Sequence, residues 1–281
     1  MRNVLITGGS SGIGRAAVER FALGGDRVWL TYRSGRQRGL DTVAELSAHG
    51  WQVEAFEFDQ GNWLSHERLI EALPGPVDVL VNNAAVGSAT VERYVPGPAH
   101  ERAAAFLQIN SVGPLWLIQQ ILPGMLDRGY GKIVNVSSVG GGVAVYPEFH
   151  VADGMSKAAL AYLTRHLAAA LVHQPIGVFA ICPGAVETTM LEESTLAGLP
   201  APRRRELEAR LPQGRLIQPR EIAELVWWLA TEAAQVLHGS VIDASMGLGV
   251  HPGLLTGWEA GAAHAATGQP PAEPAIRPRG T

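Results

Sequence analysis

The chain has 281 residues, 47% hydrophobic and 17% charged, enough to bury the core of one globular domain of ordinary size. Its formal net charge of −4, from 22 basic and 26 acidic residues, gives no general field for nucleic acid or an anionic membrane surface, so neither partner is expected. Cys182 is the only cysteine, which excludes an internal disulfide, and with a strand opening near Met1 and no apolar run of the ~18–20 residues a bilayer requires, a soluble, cytoplasmic protein without signal peptide is expected.

In chain order, Val4-Leu5-Ile6 reads as a short buried strand, followed by Thr7-Gly8-Gly9-Ser10-Ser11-Gly12-Ile13-Gly14 and the helix-forming Arg15 to Arg20. Gly8, Gly12 and Gly14 let the backbone turn sharply, approach a pyrophosphate and pack helix on sheet, while the free N–H groups of the helix start face an anion. A second buried strand, Arg27 to Tyr32, ends in Arg33-Ser34-Gly35-Arg36, with Arg38 beyond. An acidic residue at such a strand end takes the ribose hydroxyls of NAD and a basic one accommodates the 2′-phosphate of NADP. With Arg33 present and no Asp or Glu, the segment favours NADP(H), NAD(H) remaining the second choice.

A helix around Asp41 to His49 precedes a strand over Val53 to Phe58 that ends at Asp59, and Val77 to Val81 is a further buried strand closing in Asn82-Asn83-Ala84-Ala85. The amides there can tie strands together, and the methyl of Ala85 matters only if its backbone needs positive φ. From Ala99 to Leu126 the apolar spacing is helical, with a break expected at Gly113-Pro114; Asn110 lies inside it, where it can satisfy carbonyls freed by a kink. Lys132 to Ser138 is a strand delivering two hydroxyls at its carboxyl end, where ligands gather in doubly wound sheets. A helix is predicted over Ser156 to Leu171 with Lys157 in its first turn, then a strand from Ile176 to Ile181 that runs into Cys182-Pro183-Gly184-Ala185-Val186-Glu187-Thr188. Residues 191 to 216 suit a short helical lid, Arg203-Arg204-Arg205 reading as its solvated face. Gln218-Pro219 opens an amphipathic helix through Leu229, and Gly239 to Asp243 is the closing strand. After about Pro252 the composition turns to Gly, Ala and Pro, so residues 251–281 are expected to be a largely disordered extension of a 1–250 domain. No constellation of metal ligands stands out.

Thr7 with Gly-x-x-x-Gly-x-Gly, Asn82-Asn83-Ala84, Asn110, Ser138, Lys157 in Ser156-Lys157-Ala158, and Pro183-Gly184-x-Val186-x-Thr188 recur in the order found in the short-chain dehydrogenase/reductase family, which this chain resembles over nearly its whole core. The resemblance implies a Rossmann-like α/β fold, a doubly wound parallel sheet of about seven strands in one domain, and an NADP(H)-dependent oxidoreductase interconverting a carbonyl and an alcohol on a small-molecule substrate. It implies that Gly8, Ser10, Ser11, Gly12, Ile13, Gly14, Arg33, Asp59, Asn83, Lys157, Pro183, Gly184, Val186 and Thr188 hold the cofactor, with Asp59 at the adenine and Val186 and Thr188 at the nicotinamide. It further implies that Ser138 hydrogen-bonds the substrate oxygen, that the Asn110 backbone holds a water of a proton relay, and that the chain pairs into a homodimer or homotetramer.

The family's Tyr-x-x-x-Lys pattern is not matched. Asp153 stands four residues before Lys157, and the interval from Ser138 to Lys157 is about two residues longer than usual. His150 and Tyr146 are the other candidates for proton transfer. A carboxylate beside Lys157 is expected to stay ionised and to donate protons poorly, whereas histidine is better matched and an adjacent carboxylate can fix its tautomer; Asp153 as a mere helix cap is the structural alternative. The missing tyrosine keeps open a non-redox lyase or isomerase, or a redox-sensing binding protein, on the same scaffold.

Overall fold

Most of the apolar runs offered as strands are rich in Val, Ile and Leu on both sides of the pleat, the composition of strands covered on both faces. The computed structural model describes residues 1–146 and 150–251; the expected 251–281 extension lies outside them but for His251. The strands are β1 Asn3–Ile6, β2 Arg27–Tyr32, β3 Val53–Glu57, β4 Val79–Asn82, β5 Gly131–Val136, β6 Ile176–Pro183 and β7 Val241–Ala244. They form one seven-stranded sheet in the order β3-β2-β1-β4-β5-β6-β7, every pair parallel. The doubly wound, single-domain α/β fold is therefore as expected.

Alternation along β1 sets the two layers. Val4 and Ile6 pack with Val18 and Phe21 of α1 (Gly12–Leu23), Leu46 of α2 (Arg36–Ser47) and Val226 of α11 (Pro219–Leu229), whereas Leu5 joins Leu69 of α3 (Trp63–Ala72), Leu117 of α6 (Gly113–Arg128) and Ala168 of α8 (Val151–Ala170). Helices on both faces leave the carboxyl edge of the sheet open. Over that edge run the short α4 (Ser88–Tyr94) and the tight turns α7 (Val139–Gly142) and α9 (Thr189–Leu191), while α10 (Ala201–Arg210) packs its Leu207 with Leu196, Leu211 and Leu216 and does not line the cavity that opens there. No helix among the described residues is long and apolar enough to cross a membrane.

Two helix boundaries differ from the sequence expectation. The break in the long helix falls on a π-helical turn, Gln108–Val112, between α5 (Ala99–Leu107) and α6 (Gly113–Arg128); Pro114 sits in the first turn of α6, where its missing N–H costs nothing. The second helix, α8, spans Val151–Ala170 and so begins five residues before Ser156, with His150 as N-cap residue. Ala152 is 4% exposed and packs with Phe106 and Ile109, and this tertiary contact draws the helix start back. Asp153 is consequently in the first turn and is not the cap, and Lys157 lies in the second turn rather than the first.

Candidate functional site

In the strand order, β1 and β4 are the neighbours at which the chain reverses its winding, and loops leaving their carboxyl ends diverge to leave a crevice. A cavity of about 790 Å³ opens there. Gly8, Ser10, Ser11, Gly12 and Ile13 form one wall. Gly8 has φ of +67°, a conformation side chains disfavour. Gly14 does not line the cavity; a Cβ on it would stand 2.2 Å from the Gly8 carbonyl oxygen and 2.5 Å from Asn83 Nδ2, so glycine there is what lets α1 close on the turn. Thr7 Oγ1 accepts from the N–H groups of Asn83 (3.0 Å) and Ala84 (2.9 Å), and Asn83 Nδ2 donates to the carbonyls of Thr7 (2.9 Å) and Gly8 (3.2 Å). Asn82 Nδ2 reaches Asn135 Oδ1 at 2.9 Å, tying β4 to β5 as the amide reading anticipates. Ala85 keeps negative φ, so its methyl strains nothing.

At the β2 end of the cavity stand Arg33 and Arg38, while Arg36 lies away from it. The Arg33 guanidinium sits 4.2 Å from the ring centroid of Tyr94, the last residue of α4. Tyr94 donates its hydroxyl to Asp59 Oδ1 at 2.6 Å, and the same oxygen accepts from the Gly61 N–H at 3.0 Å. Burial and the neighbouring Asp59 hold the Tyr94 phenol far above its ordinary pKa, so it stays a donor.

At the β5 and β6 end, Ser138, His150, Asp153 and Lys157 meet Pro183, Gly184, Val186 and Thr188 around the same cavity. His150, Asp153 and Lys157 follow one another at three and four residues, so they share a face of α8. Ser138 caps the α7 turn, accepting from the Gly140 N–H at 3.2 Å, and Thr188 caps α9 at 3.2 Å from the Leu191 N–H. Lys157 is 8% exposed, its Nζ 3.5 Å from the Val136 carbonyl; burial pushes its pKa down against the pull of Asp153. Asp153 is equally buried, and here the expected downward shift beside Lys157 is corrected in direction: desolvation raises its pKa and outweighs the opposing Lys157 and His150. The sequence argument counted the charge and could not count the burial. His150 is exposed at the rim and its ring packs against Phe106 with centroids 5.0 Å apart.

Asn110 and Tyr146 stand behind the wall, and Ser137 is part of it. Asn110, in the π-helical turn, accepts from the Val86 N–H (2.9 Å) and donates to the Val86 carbonyl (3.0 Å) and Ser156 Oγ (3.1 Å). Ser137 lines the cavity beside Ser138, but its hydroxyl is committed as donor to the Lys157 carbonyl at 2.9 Å. Tyr146, weighed as a stand-in for the tyrosine, is buried with Val139 and Leu248 and donates to the Leu248 carbonyl at 2.9 Å, away from the cavity. Sequence reasoning missed Tyr94, for which a tyrosine in a polar stretch gave no signal, and the ion pair of Arg93 with Glu193 (2.5 Å) across the cavity mouth. Arg203 and Arg204 pair with Glu206, Glu192 and Glu208 on the solvated lid face, as expected.

Residues 8–249 match the family model described as enoyl-(acyl carrier protein) reductase. The chain is 31% identical over 249 residues to an acetoacetyl-CoA reductase of Rhizobium meliloti, covering 88% of this chain and 98% of that one. It is also 31% identical over 250 residues to a 3-oxoacyl-(acyl-carrier-protein) reductase of Aquifex aeolicus, covering 87% and 96%. The crystal structure of an actinorhodin polyketide ketoreductase variant with NADPH is similar at a TM-score of 0.78 and 33% identity, over 88% of this chain and 97% of that one.

Proposed function

Because this chain belongs to the short-chain dehydrogenase/reductase family of oxidoreductases, we propose that it reduces the ketone of a 3-ketoacyl thioester or a closely related carbonyl with NADPH, using Asp153 where the family uses tyrosine. The substrate class rests on the names of the relatives, and NADPH on the actinorhodin ketoreductase complex together with Arg33 and Arg38 at the end of β2. A dinucleotide fits the residues present: the Gly14 contact and the Gly8 conformation leave a cradle of backbone against the start of α1, and the loop directly after β2 carries Arg33 and Arg38 at the cavity and no carboxylate of its own. When bound, NADPH supplies the hydride. Ser138 hydrogen-bonds the substrate oxygen, protonated Asp153 releases its proton to that oxygen, and His150 at the cavity rim exchanges the proton with solvent. Lys157 holds the nicotinamide ribose and biases Asp153 by its charge.

The observation that carries this reading is the buried Asp153 carboxyl, with its raised pKa, on one helix face with His150 and Lys157 in the cavity that also holds Ser138. Burial moves the carboxyl in the direction of a usable donor. NADPH consumption across 3-ketoacyl thioesters and simple ketones tests it. Turnover with the parent, lost in Asp153→Asn with NADPH affinity intact, is expected; full turnover in Asp153→Asn overturns the assignment, and no NADPH binding by the parent overturns the cofactor. The relatives described above are named as reductases, which supports redox chemistry over the non-redox alternative. The proposal includes a homodimer or homotetramer paired through α8, which exposes Val151, Met155 and Tyr162; a monomer by light scattering contradicts it.

A further inference from the structure

Asp59, Tyr94 and Arg33 come from three separate segments yet form one stack at the β2 end of the cavity. Arg33 is exposed on a loop, and an exposed arginine spreads over many rotamers unless something holds it. The Tyr94 ring lies 4.2 Å from its guanidinium carbon, and the ring is itself fixed by the 2.6 Å bond to Asp59. A Cβ on Gly61 would stand 2.4 Å from the Tyr94 hydroxyl oxygen, so the close seat of the phenol depends on that glycine. We propose that Tyr94 is a positioning residue for discrimination between phosphorylated and unphosphorylated adenosine ribose: its ring, anchored by Asp59, holds Arg33 at the 2′-phosphate position. The inference rests on the NADPH reading above and adds to it a residue from α4, a segment outside the β2 loop that carries the recognised basic group.

Two effects of opposite sign on a phosphate are thereby settled by one hydroxyl. A planar guanidinium over an aromatic face gains cation–π attraction and keeps its edge donors free for an anion. The Asp59 carboxylate, engaged by the Tyr94 hydroxyl and the Gly61 N–H, has part of its charge neutralised by donors, which lowers its repulsion of a nearby phosphate.

The test uses the full chain without activity as the readout: calorimetric titration with 2′,5′-ADP and with AMP, whose affinity ratio reports the phosphate site alone. In Tyr94→Leu the ratio should fall about fivefold, the size of one lost cation–π contact, while AMP affinity stays unchanged; Tyr94→Phe, which keeps the ring, should lose about half of that effect or less on a logarithmic scale. In an Arg33→Ala background Tyr94→Leu should lower the ratio by clearly less than in the parent, because only the released Asp59 carboxylate is then left to act. Equal loss of both ligands, or an unchanged ratio in Tyr94→Leu, overturns the inference and leaves the NADPH reading standing. A parent that binds 2′,5′-ADP no better than AMP overturns both. Should Tyr94→Leu fail to fold, the Tyr94→Phe and Arg33→Ala pair decides: additive effects on the ratio refute the coupling.

Discussion

The two ends of the cavity are built on different principles. At the glycine turn the shape is backbone: a left-handed Gly8, a Gly14 with no room for a Cβ, and Thr7 and Asn83 stitching the β1 and β4 ends with four hydrogen bonds. At the start of α8 the chemistry is side chains whose protonation is set by how deeply the helix start is buried. The first end carries backbone shape and the second carries buried ionisable groups, so the two should fail differently when altered.

The largest expected effect is at the α8 end. Asp153→Asn should lower turnover by roughly 10²–10⁴, the worth of general acid assistance, with NADPH affinity from fluorescence titration unchanged. A loss of binding in place of turnover would erase the distinction between the ends. At the glycine turn the reverse is expected: Gly14→Ala should weaken NADPH binding and cost about 1–3 kcal/mol of stability through overpacking against the Gly8 carbonyl, measured by titration and denaturant unfolding.

The pH dependence sharpens the contrast. Burial raises the pKa of folded Asp153 above its ordinary value, and reduction in the proposed mechanism uses the protonated form, so the rate of reduction should fall as pH rises through that raised pKa. The stability that protonated Asp153 contributes is likewise fully present below its unfolded pKa and lost as pH rises through the folded one. In Asp153→Tyr the fall should move to higher pH, since a phenol titrates near ~10; a profile that does not move excludes residue 153 as the donor. Dinucleotide affinity should show no such shift.

Behind the wall the effects are on stability. Asn110→Ala removes three hydrogen bonds and leaves the Val86 N–H buried without its acceptor, at a cost of about 1–3 kcal/mol seen as a lower Tm. The smallest effect should be that of Tyr146→Phe, which loses its bond to the Leu248 carbonyl, about 1 kcal/mol, with the reduction rate unchanged. A drop in rate of the size expected for Asp153→Asn would return Tyr146 to the reacting end.

Sequence alone determined the sheet and the glycine end, because both are written locally. Buried parallel strands are continuous apolar runs, and positive φ or close backbone approach demands glycine wherever the rest of the chain lies. The basic end of β2, Ser138 at the tip of β5 and the Pro183–Thr188 turn were legible for the same reason: each is a residue type at a strand end. Tertiary structure decided the rest. Ala152 packing on Phe106 and Ile109 moved the start of α8 back, which placed Asp153 in its first turn, and burial then raised a carboxyl that its neighbour Lys157 alone would have lowered. The Tyr94 to Asp59 bond joins residues thirty-five apart through α4, and the exclusion of Tyr146 follows from its burial against Leu248. Desolvation and long-range contact depend on what the whole fold brings near a residue, and no local pattern in the chain carries that sum.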